Sequence, residues 1–165
     1  MIRTVIAAVA ANGVIGQGGT MPWDCPADMK HFMSTTMGHP CIVGRKTYES
    51  FRRRPLPGRL NIVLTKQPDY ATADGVIVVG SYDEAVRHCE QIGAARMFVC
   101  GGAQIYRIAL PQADEMILTH LPDHVSGDSF FPEWDPADWE ETDSRAGEDG
   151  VHWKTYRRRR RDREP

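Results

Sequence analysis

The sequence lacks a long apolar run, a cysteine pair at metal-binding spacing, an internal repeat and a flexible linker, and each absence removes a class of protein. The first apolar stretch, residues 5–11, is far shorter than the roughly 20 residues that a membrane-spanning helix needs. No charged segment followed by an apolar run and a cleavage site opens the chain, so a secretory signal is not expected. Cys25, Cys41, Cys89 and Cys100 form no C-x-x-C pair, and the six histidines stand at no zinc-ligand spacing from them. No metal site is expected, and Cys41 and Cys100, set in apolar runs, read as small buried hydrophobes. Together these features predict a reduced, cytoplasmic protein. Neither G-x-G-x-x-G nor a Walker loop occurs. An overall basic face is missing too: net charge is −2, and six of the 20 basic residues crowd into the last nine positions, leaving an acidic body. A nucleic-acid surface is therefore not indicated.

What is present describes an ordinary globular domain. The chain has 165 residues, 41% hydrophobic and 25% charged, the size and composition of one domain. We expect that domain to span 1–156, with 157–165 a basic, frayed tail. Apolar, β-branched runs at 5–11, 41–43, 60–65, 76–79, 97–100 and 116–121 predict buried strands. Between them lie helical patterns. The clearest starts at Ser81 with Glu84 three residues on, a capping box, followed by Ala85, Val86, Cys89 and Ile92 on one face. Alternating strand and helix predict an α/β fold. The last third differs: 116–121 and 151–156 flank a proline-rich stretch, which predicts an antiparallel pair closing one edge of the sheet.

Four segments carry candidate chemistry. Residues 13–19 hold four glycines and lead into Met21, Pro22 and Trp23, a composition suited to a loop that closes over a ligand. In the following helix Pro26 fits the first turn, and Asp28 shares a face with Phe32 four residues on. Two readings of Asp28 stay open: a carboxylate placed by the helix dipole, or a buried acid in a pocket. Two strand-to-helix junctions, Gly44-Arg45-Lys46-Thr47 and Gly101-Gly102-Ala103-Gln104-Ile105-Tyr106, repeat one design. In each, glycine lets backbone approach a ligand, and free N–H groups at a helix start attract an anion. Arg45, Lys46 and Thr47 add charge and a hydroxyl, as a phosphate-rich dinucleotide requires. A basic turn, 52–59, ends in Arg59 just before a strand, where a guanidinium can clamp a carboxylate.

In order along the chain, Ala7-Ala8, Val14-Ile15-Gly16, Met21-Pro22-Trp23, Pro26-Ala27-Asp28, Gly44-Arg45, Leu56-Pro57-Gly58-Arg59, Gly101-Gly102, Thr119-His120, Gly127-Asp128 and Phe131-Pro132 resemble the dihydrofolate reductases of bacteria. The resemblance covers residues 2 to 156. It implies a central eight-stranded, mixed but mostly parallel sheet flanked by helices, with an antiparallel carboxy-terminal edge. It also implies NADPH-dependent reduction of dihydrofolate to tetrahydrofolate, a carrier for one-carbon chemistry, by a monomeric enzyme open to antifolate inhibitors.

By that resemblance Asp28 anchors the pterin and promotes protonation of N5, with Met21, Trp23 and Thr119 beside the reacting atoms. Ile6, Ala8, Met29, Phe32, Phe51, Cys100 and Thr119 complete the substrate site, and Arg59 holds the glutamate α-carboxylate. Cofactor contacts fall to Ala8, Ile15, Gly16, Met21, Gly44, Arg45, Lys46, Thr47, Thr65 and Lys66, and to Gly101, Gly102, Ala103, Gln104, Ile105 and Tyr106. Three departures stand out: Ala103 where a third glycine is common, Cys100 in place of a branched aliphatic, and Cys25 in place of leucine. Two other functions compete. A pyrimidine reductase of riboflavin synthesis would share the fold and NADPH, but its substrate carries a ribose phosphate in place of the carboxylate that suits Arg59. A nucleic-acid-binding module would act through the arginine tail.

Overall fold

The computed structural model of the chain describes residues 1–16 and 25–160. The apolar runs become strands β1 (Ile2–Val9), β3 (Cys41–Gly44), β4 (Asn61–Leu64), β5 (Ile77–Val79), β6 (Arg96–Val99) and β7 (Glu115–His120). With β9 (Trp139–Ala146) and β10 (His152–Arg158) they form one eight-stranded sheet in the order β5-β4-β3-β6-β1-β7-β10-β9. The first six strands in that order pair in parallel, and β7-β10-β9 closes the edge antiparallel. A separate two-stranded ribbon joins β2 (Val14–Gly16) to β8 (Ser129–Phe130). Helices α1 (Pro26–Thr36), α2 (Arg45–Ser50), α3 (Tyr82–Gln91) and α4 (Ala103–Ala109) cover the faces.

The inner strands are apolar at successive positions because both faces of the sheet are covered. Side chains alternate between two cores. Val5 and Ala7 of β1, Met97 and Val99 of β6, and Met116 and Leu118 of β7 pack with Ala85, Val86 and Cys89 of α3 and with Ile105 and Ala109 of α4. Ile6, Cys41 and Phe98 point the other way, joined by Leu56, Phe32, Phe51, Cys100 and Ile117. Each such large side chain, fully buried, contributes about 1.5–3 kcal/mol. The start of α3 is fixed as its sequence demands. Ser81 Oγ accepts from Glu84 N–H at 3.2 Å, and Glu84 Oε2 accepts from Gly80 N–H at 3.1 Å.

The structure departs from the sequence reading in four places. Ile92 ends α3 instead of joining its buried face and is 53% exposed. Strand β9 was not expected, because every residue after Trp139 in it is exposed and polar or small. The β2-β8 ribbon is too short for any periodicity to show. Strand β10 continues through Arg157 and Arg158, two residues beyond the boundary expected at Tyr156. Arg158 is held there: its Nε and Nη2 donate to the Ala113 and Leu110 carbonyls at 2.7 and 2.5 Å, and its guanidinium lies 4.4 Å from the Trp139 ring.

Candidate active site

The topology marks a crevice before any side chain is considered. Strands β3 and β6 are neighbours, yet the chain leaves β3 toward β4 on one side and leaves β6 toward β7 on the other. Ligands of open α/β sheets bind at such a switch point, beyond the carboxyl ends of the strands. Gly44 ends β3 there, and Gly101-Gly102 follows β6, with Gly44 N–H donating to the Gly101 carbonyl at 2.9 Å. All three glycines are needed for closeness. A Cβ on Gly102 would stand 3.0 Å from Thr47 Oγ1, and one on Gly44 3.3 Å from Ile105 Cγ1. Gly101 has φ +122°, a conformation that side-chain-bearing residues rarely adopt. Neither α2 nor α4 carries a side-chain cap at its start. Both therefore present unpaired N–H groups beside bare backbone.

Around this cradle the expected cofactor residues separate by exposure. Thr65 is buried and its hydroxyl accepts from Gln67 N–H at 3.1 Å, while Lys46, Lys66 and Gln104 are exposed. Arg45 is drawn into a surface ion pair with Glu49 at 3.0 Å. Ile105 is buried, Ala103 opens α4, and Tyr106 turns inward to donate its hydroxyl to the Ile6 carbonyl at 2.7 Å. That bond ties α4 to the middle of β1, and burial pushes the Tyr106 phenol far up. Ile15 and buried Gly16 lie on β2, and Ala8, half-buried, is the next-to-last residue of β1. Met21 and Trp23 lie outside the described residues.

Asp28, in the first turn of α1, is 9% exposed. Its Oδ1 accepts from Thr119 Oγ1 at 2.6 Å and from Trp153 Nε1 at 3.2 Å. Asp28 is thus a first-turn carboxylate that is also buried. Phe32, one helical turn on, packs with Ile6, Phe51, Cys100 and Ile117 into the apolar lining. Burial pushes the Cys100 thiol well up, so it stands as a neutral part of that wall. Met29 lies on the exposed side of α1. His31 packs on Trp153, with ring centroids 5.3 Å apart, and its Nε2 is buried without a partner among the described residues. Burial lowers the His31 pKa, the Asp28 carboxylate opposing and Arg145 adding to the effect.

Arg59 is 9% exposed, an unusual state for arginine. Its Nε donates to the Pro57 carbonyl at 2.9 Å and its Nη1 to Thr36 Oγ1 at 3.2 Å. Nη2 is buried and has no partner among the described residues. A buried guanidinium with an unpartnered nitrogen can receive an anion. By contrast Arg52, Arg53 and Arg54 are exposed.

The site residues are thus a buried acid, an apolar cluster, a buried guanidinium and two glycine junctions. The family model for dihydrofolate reductase matches residues 1–161. The chain belongs to the dihydrofolate reductase family. Among curated relatives it is 45% identical over 151 residues to the dihydrofolate reductase of Neisseria gonorrhoeae, covering 90% of this chain and 91% of that one. It is 44% identical over 162 residues to dihydrofolate reductase HdrB of Haloferax volcanii, covering 94% and 82%. The solved dihydrofolate reductase of Enterococcus faecalis, complexed with NADP(H) and RAB-propyl, superposes with a TM-score of 0.85 at 32% identity, covering 95% of this chain and 96% of that one.

Within this dihydrofolate reductase fold, sequence reasoning missed Trp153 and His31. A tryptophan in a strand ordinarily signals core, and nothing near it in sequence points to an acid 125 positions away. His31 was visible only as a helix residue three positions beyond Asp28. Among the described residues no cluster of His, Cys, Asp or Glu could hold a metal ion, and no helix is long and apolar enough to cross a membrane.

Proposed function

We infer that the protein reduces 7,8-dihydrofolate with NADPH and a proton, giving tetrahydrofolate and NADP⁺, and that it does so in the cytoplasm. The observation that carries this reading is the buried Asp28 carboxylate, which has one oxygen tied to Thr119 and Trp153 and is set in an apolar lining. Its Oδ2 has no hydrogen bond among the described residues, so it can accept from the 2-amino group and ring N–H of a pterin. Phe32, Ile6, Phe51, Cys100 and Ala8 supply the apolar surface for the rings, and Met29 the outer rim. The unpartnered Nη2 of Arg59 receives the glutamate α-carboxylate.

The glycine cradle suits NADPH because bare backbone at Gly44 and Gly101-Gly102 leads into two helix starts without side-chain caps, where phosphate oxygens can be received. Gly44, Arg45, Lys46, Thr47, Thr65 and Lys66 would hold its phosphates. Gly101, Gly102, Ala103, Gln104, Ile105 and Tyr106 would support the pyrophosphate and nicotinamide, next to Ala8, Ile15 and Gly16. When bound, NADPH supplies the hydride that is added at C6. The chain's own contribution is alignment, exclusion of water and control of one proton. Asp28 anchors the pterin so that N5 becomes basic and takes a proton, while Thr119 keeps the carboxylate in place.

Four free thiols, Cys25, Cys41, Cys89 and Cys100, agree with a reducing compartment. The deciding assay is NADPH oxidation started by dihydrofolate. We expect turnover that needs both and that falls sharply when NADH replaces NADPH. Turnover with the pyrimidine that carries a ribose phosphate but none with dihydrofolate would replace this reading with the riboflavin-pathway one.

A further inference from the structure

Three strands at the antiparallel edge place a row of side chains across the sheet, starting at the acid. Thr119 of β7 stands opposite Trp153 of β10, and Trp153 stands opposite Arg145 of β9. Directly opposed residues of neighbouring strands project on the same face. Thr119 and Trp153 use that shared face to reach the same atom, Asp28 Oδ1, at 2.6 and 3.2 Å. The Arg145 guanidinium lies 4.7 Å from the centre of the Trp153 ring, and the His31 ring packs on it from α1. Beyond them Gly147, where β9 turns toward β10, lies so close that a Cβ there would overlap the indole, standing 2.5 Å from its Cη2.

We propose that Trp153 is a positioning residue for Asp28: its indole N–H, set by the β9-β10 hairpin outside the pocket, commits Oδ1 as an acceptor and leaves Oδ2 as the oxygen that meets the pterin and carries the proton. The inference rests on Asp28 serving a pterin. Its physical basis is the one-way chemistry of the indole, which donates and cannot accept. An oxygen already receiving Thr119 and Trp153 has no room for a proton of its own, so protonation of Asp28 falls on Oδ2. The groups facing Asp28 are then Thr119 and Trp153 as donors, His31 from α1 and Tyr106 from α4, with Arg145 of β9 acting on His31. Phenylalanine at 153 would keep a ring for His31 and Arg145 while deleting only the donor.

Single-turnover hydride transfer, measured against pH, tests this. A donor to a carboxylate favours its charged form, so the pH limb of the rate reads whether the indole acts on that carboxylate. In Trp153→Phe we expect the pH at which the rate falls by half to move upward by about 0.5 to 1 unit, with NADPH affinity unchanged. Gly147→Ala provides a second, independent route. Its φ of −108° accepts alanine, no charge changes, and the displaced indole should give a shift in the same direction. Superimposable profiles for wild type and Trp153→Phe would overturn the proposal, as would a raised KM for dihydrofolate with no movement of the pH limb, which would make Trp153 a wall only. A shift in Trp153→Phe without one in Gly147→Ala would overturn the part given to the hairpin. A wild-type enzyme inert toward dihydrofolate would instead overturn the functional reading itself.

Discussion

Replacing Arg59 with lysine separates binding of the substrate's tail from chemistry on its ring. The guanidinium is buried, with Nε and Nη1 held by Pro57 and Thr36 and only Nη2 unsatisfied. Lysine keeps the charge but loses the planar fork that meets a carboxylate in two places. Losing one hydrogen bond to a charged partner costs about 1.5–3 kcal/mol, or about 10- to 150-fold in affinity. The KM for dihydrofolate should rise by that factor while kcat changes little, because the contact is the same in the ground and transition states. A pterin lacking the glutamate tail provides the control, and its KM should be the same in both enzymes. The bonds to Pro57 and Thr36 are lost as well, so thermal melts should show a separate destabilisation of about 1–2 kcal/mol. An equal rise in KM for the tailed and the truncated substrate would refute the reasoning, since Arg59 would then be shaping the ring pocket.

Other consequences can be measured alongside. Tyr106→Phe leaves the Ile6 carbonyl without its 2.7 Å donor, and denaturant titration should show a loss of about 1–3 kcal/mol. Gly102→Val forces side-chain atoms toward Thr47, with the Cβ alone at 3.0 Å from its hydroxyl. Calorimetry should find NADPH binding weakened at least tenfold, and normal affinity would remove the cradle from the cofactor site. Burial lowers the pKa of both His31 and His120 below 6.5, so below that pH the unfolded chain takes up protons that the folded chain resists. The stability that the two contribute is complete above pH 6.5 and declines as pH falls through their folded values. Replacing both with glutamine should flatten that decline in melts taken between pH 7.5 and 5.

Much of the fold was legible because the central strands are buried on both faces, so continuous runs such as Val5 to Ala7 and Cys41 to Val43 stand out from polar surroundings. The edge was not. From Glu140 to Ala146 all residues are exposed, and their strand exists only because β10 offers a partner. Local chemistry explains which site residues could be read. Gly44 and Gly101-Gly102 declare themselves at strand ends, and Arg59 follows a Pro-Leu-Pro-Gly turn. The state of each group was hidden. Arg45 has a competing carboxylate one turn along its own helix. The partners of Asp28 stand 91 and 125 positions away, and only the antiparallel register of β7 and β10 brings them to one oxygen.

Asp28 carries the central claim, and one substitution addresses it. Asparagine in its place would keep the size of the side chain but could neither carry the charge that pairs with the pterin amidine nor share its proton. In single-turnover experiments with NADPH already bound, Asp28→Asn should slow hydride transfer to dihydrofolate by about 10²- to 10⁴-fold near neutral pH, with NADPH affinity unchanged. Transfer at the wild-type rate would contradict the account.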